Sequence, residues 1–111
     1  MLTLPFGHAY YKLDVNQFTT IRGKSYFKAL KIGEQITANY KGKKFQTEIV
    51  NLELKPISEI PLEVLKLDAE YPDFVIASYQ DFVELINTFR AGFMPKVTLE
   101  SKMTIITLKK I

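Results

Sequence analysis

Strand-like runs stand toward both ends of the chain and enclose a middle segment that repeats at helical spacing. That order limits the fold more than any other feature. Gln17–Arg22 (Gln-Phe-Thr-Thr-Ile-Arg) and Met103–Lys109 (Met-Thr-Ile-Ile-Thr-Leu-Lys) are rich in β-branched and aromatic residues and predict strands. After the first, Ser25–Leu30 predicts a helical turn or a wide loop, and Lys31-Ile32-Gly33-Glu34 a turn into a second strand, Gln35–Tyr40. Lys41-Gly42-Lys43 reads as a tight hairpin loop, with a return strand over Lys44–Leu54. Along that strand the apolar side switches near Ile49-Val50, which predicts a bulge or a passage from one sheet layer to another.

Pro56 then ends the ladder, and the period changes. Ile60, Leu62, Val64, Leu65 and Leu67 predict a short amphipathic helix, with Ser58 as its cap and Pro61 in its first turn. Ser78 and Asp81 have capping-box spacing ahead of a second helix, whose stripe Tyr79, Phe82, Val83, Ile86 and Phe89 is read as core. Lys96–Leu99 predicts a short strand, and Leu4–Tyr11 an edge strand or turn disturbed by Pro5 and Gly7. Strands never alternate with helices, which disfavours a doubly wound parallel sheet. The expectation is an α+β fold: a small mixed β-barrel or curled sheet with two or three helices packed at its side. At 111 residues the chain is expected to form one domain.

Several chemistries drop out early. Without cysteine the chain has no disulfide, thiolate zinc site or cysteine nucleophile. His8 is the single histidine, so neither a metal site nor a serine–histidine triad finds support, and no cofactor is implied. A phosphate-binding glycine loop and a nucleophile elbow are both missing. With no long apolar run and no leader-like start, the expectation is a cytoplasmic protein with no membrane partner, its oligomeric state left open.

Charge is segregated beneath a net +3. From Met1 to Lys55 nine Lys/Arg stand against four Asp/Glu; from Pro56 to Arg90 two stand against seven; from Ala91 onward four stand against one. A basic segment of this kind attracts phosphate backbones. Within it, Thr19-Thr20-Ile21-Arg22-Gly23-Lys24 stands out. On a strand Thr20 and Arg22 point the same way, and Gly23 is read as freeing the backbone before Lys24. A hydroxyl beside a guanidinium fork suits a phosphate or a polar base edge. The bland alternative is an exposed strand end.

These same residues resemble the ASCH domains of the PUA-like superfamily. The likeness rests on Thr19-Thr20-Ile21-Arg22 ending the first long strand, Lys31-Ile32-Gly33-Glu34 opening the second, Leu65-x-x-Asp68-Ala69-Glu70, the capped helix Ser78–Arg90 and the closing strand. It spans about Gln17 to Leu108. The resemblance implies a β-barrel with helices at its rim and a cleft that takes RNA or modified nucleobases, with Thr20, Arg22 and Glu70 as the positions carried over. A similar bacterial branch releases acetate from acetylated cytidine, using a Lys as base, a Thr nucleophile three residues later and a Glu as acid. By that likeness Thr20 and Glu70 would be catalytic. Gln17 stands where the Lys is expected, and Gln is no base at neutral pH. Lys24 is the residue left to replace it.

The first expectation is therefore an RNA-binding module. Arg22, Lys24, Lys28, Lys31, Lys41, Lys43 and Lys44 would meet phosphates, and one of Tyr26, Phe27 and Tyr40 (Tyr26 foremost) would stack on a base. The alternative is a small hydrolase acting on a modified nucleoside or on RNA. A third reading is a complex subunit whose acidic helical segment meets a basic partner.

Overall fold

Apolar alternation on three neighbouring strands sets the architecture, as a computed structural model of the chain shows. It describes residues 3–5, 16–40, 43–69, 76–89 and 96–111. The elements run β1 (Thr3–Pro5), β2 (Gln17–Gly23), α1 (Ser25–Ala29), β3 (Gln35–Tyr40), β4 (Lys43–Pro56), a 3-10 turn (Ile57–Glu59), α2 (Leu62–Ala69), α3 (Tyr79–Phe89) and β5 (Lys102–Lys110). They form one five-stranded sheet in the order β1-β3-β4-β5-β2. Every ladder is antiparallel except β1 with β3, which makes the sheet mixed. The expected α+β class and small barrel-like sheet are thus what the chain forms. Among the described residues no ladder joins β1 to β2, so the ring is open.

Each face of this sheet carries its own core. On the inner face Phe18, Ile36, Ala38, Ile49, Ile106 and Leu108 cluster with Leu30, and Tyr26, Phe45 and Leu52 pack against them. On the outer face Ile21, Met103 and Ile105 meet Ile57, Ile60, Leu65, Phe82, Val83 and Leu85 of the helical segment. The period of two explains the division, since Ile105 and Ile106 are neighbours in sequence and belong to opposite cores.

A register shift on β4 lies between Ile49 and Asn51, where the apolar side changes in the sequence. The extra residue, Val50, lets Ile49 pair with Leu108 and Leu52 with Ile106, so both point inward although three residues apart. Bulges also bend a strand, and this sheet is bent. Phe18 and Phe45 sit two strands apart and four residues out of step, about 16 Å on a flat sheet. Their rings approach to 6.4 Å, edge to face, so the sheet curls around its inner core.

The cap of α3 forms at the two residues its spacing marks, with the return bond going to the amide of Ala77 in place of Ser78. The Asp81 amide donates to Ser78 Oγ at 3.2 Å, and Asp81 Oδ2 accepts from the Ala77 amide at 2.9 Å. Two local expectations need correction. Ser58 does not cap α2; it lies in the 3-10 turn, and the first α2 bonds go from the Val64 and Leu65 amides to the Pro61 carbonyl. Residues 96–98 are not a strand. Val97 is held by the Asn87 side chain, which accepts from its amide at 2.8 Å and donates to its carbonyl at 3.0 Å. An amide side chain thus replaces the strand partner that the apolar pattern suggests.

Candidate functional site

Inner-face side chains turn from apolar to polar toward the end of β2. Its register with β5 is regular, with Phe18 against Leu108, Thr20 against Ile106 and Arg22 against Thr104. Phe18 and Leu108 belong to the apolar core, whereas Thr20 and Thr104 are buried hydroxyls at 2% and 0% exposure. Both hydroxyls have work inside the protein. Thr104 Oγ1 donates to the Gly23 carbonyl at 2.9 Å, and Thr20 Oγ1 accepts from Arg22 Nε at 3.2 Å. The Arg22 side chain, half-buried, is therefore turned back along its own strand over Thr20.

Lys24 and α1 continue directly from this strand end. Tyr26 and Leu30, four residues apart, face the inner core, and that helical spacing leaves Lys24 and Lys28 on the opposite side, with Phe27 on the flank between. All three are exposed, as is Lys31 just beyond. Among the described residues no acidic side chain pairs with Lys24, Lys28 or Lys31. Arg22 and these lysines lie in a run from Val15 to Gly33 that contains no Asp or Glu. Glu34, the first acid after it, has Oε1 engaged with the Lys31 amide at 3.1 Å.

Not every residue singled out from the sequence joins this group. Lys43 and Lys44 are exposed at the far end of β4. Arg22 lies level with Thr104, Thr104 pairs with Leu54, and Leu54 is eleven residues from Lys43, roughly 35 Å of strand. Lys41 and Glu70 lie outside the described residues, as does the side chain of Tyr40. The helix before Glu70, α2, contributes Leu65 to the core beneath Ile21, on the face opposite Thr20 and Arg22. Gln17 is exposed and pairs with Lys109, and alternation puts it on the face opposite Thr20. Tyr26 is half-buried against the core, so the exposed aromatic of this region is its neighbour Phe27, at 38%. The sequence marks both as aromatics beside lysines; only the phase of α1 separates them.

Gly23 also differs from its reading as a backbone hinge. Its φ is not positive, and nothing lies within 4 Å of where a Cβ would stand. Gly33 is the glycine with a demanding conformation, at φ 92°, in the turn that opens β3.

Among the described residues no three His, Asp or Glu side chains gather as metal ligands, and no helix is long and apolar enough to cross a membrane. A separate shallow groove of about 470 Å³ runs between α3 and the 96–100 segment, lined by Gln80, Val83, Asn87, Val97 and Leu99 among others.

Comparison with known proteins adds a fold and a family. No family model matches the chain. The crystal structure of protein EF3133 from Enterococcus faecalis, described as family-model DUF984, superposes with a TM-score of 0.70 over 100% of this chain and 76% of that one, at 9% identity. At so low an identity the likeness is one of fold alone. A curated protein from Methanocaldococcus jannaschii, named "Uncharacterized protein MJ0364", is 41% identical over 113 aligned positions that cover 100% of this chain and 97% of the relative. Near-complete coverage at that identity makes the two chains relatives throughout, and the protein described here belongs to the family of MJ0364.

Proposed function

We propose that the protein is an ASCH-like, PUA-type domain that binds RNA where the Arg22 end of β2 runs into α1. The observation that carries this reading is one of charge and shape together. A half-buried arginine, its Nε held by Thr20, is followed by Lys24, Lys28 and Lys31, all exposed and without acidic partners among the described residues. An arginine suits a phosphate or base edge through its planar donors, and flexible lysines supply the surrounding field. The mixed, curled sheet and its likeness in fold to EF3133 are compatible with the ASCH resemblance.

Fluorescence anisotropy with a labelled RNA oligomer tests the reading. R22Q is expected to weaken binding severalfold, whereas K43Q/K44Q, at the far end of β4, is expected to leave it close to wild type. The reverse order, or no binding by the wild type, overturns it.

The hydrolase reading has less support. A nucleophilic hydroxyl needs an adjacent base and room for the substrate. Thr20 is almost fully buried, accepts a hydrogen bond from Arg22, and has Gln17 on the other face of its strand. Acetate release from acetylated cytidine that disappears in T20A would restore it.

A further inference from the structure

The described aromatic side chains share one fate with a single exception. Phe18 and Phe82 are buried, and Tyr26, Phe45 and Tyr79 are half-buried against the two cores. Phe27 is exposed at 38%, and Ile32, just past the helix, at 63%. Among the described residues Phe27 belongs to neither core. The inner core is served by Tyr26 and Leu30, and Phe27 lies about 100° round the helix from Tyr26. Lys24, three residues earlier, is its neighbour along the helix; Lys28 follows it in sequence and Lys31 lies just beyond the helix, all three exposed.

We infer that this face of α1 is a stacking platform for single-stranded nucleic acid, with a base lying on the Phe27 ring and the flanking phosphates on Lys24, Lys28 and Lys31. The inference rests on the RNA-binding reading and narrows it to unpaired strands held with little sequence preference. A ring presents the same π surface to any base, whereas a paired base in a duplex has no free face to offer. Charge favours this occupant over a protein partner, because exposed lysines stand on both sides of Phe27 in a stretch, residues 15–33, that holds no acid. Exposed lysine ammoniums would also attract an anionic membrane, so the experiment must separate a base from a lipid surface.

The test compares two single strands of equal phosphate count, one with bases and one abasic, on wild-type protein, F27A and F27W. Wild type is expected to prefer the strand with bases by roughly 5- to 150-fold, the range that one base–aromatic stack spans. F27A is expected to lose that preference while binding the abasic strand as wild type does, which also reports that the variant is folded. F27W is expected to keep or raise the preference. If wild type binds the strand with bases and F27A binds it equally well, the stacking platform is wrong and the RNA reading stands. If wild type binds neither strand, the RNA reading falls and the platform with it. Binding to phosphatidylserine vesicles that depends on Phe27, with no preference for bases, overturns the platform in favour of a membrane contact.

Discussion

Arg22 donates its Nε to the hydroxyl of Thr20, two residues earlier on the same strand and on the same face, at 3.2 Å. The pair is a unit: the buried threonine limits where the guanidinium can turn, and the arginine occupies the oxygen that a nucleophile would need. Under the proposed RNA-binding function Thr20 would position Arg22, and Arg22 would make the contact with RNA.

Thr20→Val keeps the shape and removes the acceptor. It is expected to cost about 1 kcal/mol of stability, the usual net worth of one hydrogen bond, and to weaken RNA binding severalfold because the guanidinium is no longer held. Thr20→Ser, which retains the acceptor, is expected to restore most of the affinity. Urea unfolding and anisotropy on both variants check this; a T20V protein that binds RNA like wild type contradicts the positioning role.

The fold was legible wherever the hydrophobic period was strong. Residues Ile49 and Leu52 cannot share a face on a regular strand, so the sequence calls for a bulge or a change of sheet layer there, and the structure has the register shift. The capping box of α3 and the β5 run were equally plain. What escaped depended on partners distant in sequence. Val97 looks like strand sequence, yet its backbone is satisfied by a side chain on α3 ten residues earlier. At the site, Thr20 and Arg22 were legible as a pair through alternation. The exposure of Phe27 was not, because a five-residue helix gives too short a stripe to fix its phase.

Asn87 provides a sharper case for stability. It satisfies both the amide and the carbonyl of Val97, which is 7% exposed. Asn87→Ala leaves both groups unpaired and is expected to cost about 2–3 kcal/mol. Asn87→Asp keeps the acceptor for the amide but sets a second oxygen against the Val97 carbonyl, and is expected to be no better than alanine. An aspartate variant as stable as wild type would mean the clamp contributes little.

The two glycines of the site region are expected to respond in opposite ways. Gly33→Ala meets no steric obstacle but forces a side chain into φ 92°, at a cost of about 1 kcal/mol. Gly23→Ala meets no obstacle and no positive φ, so it is expected to leave stability unchanged or raise it by about 0.5 kcal/mol. Thermal unfolding of the two variants side by side reads the difference, and a G23A loss larger than that of G33A would contradict the backbone assignment.

The most direct measurement is the salt dependence of RNA affinity for wild type and R22Q. If Arg22, Lys24, Lys28 and Lys31 each neutralise one phosphate, raising salt from about 50 to 200 mM should weaken wild-type binding to a single strand about 50-fold, and R22Q binding only about 20-fold. An affinity that hardly moves over that range, or an identical slope for the two proteins, would contradict the claim that this strand end meets the backbone of RNA.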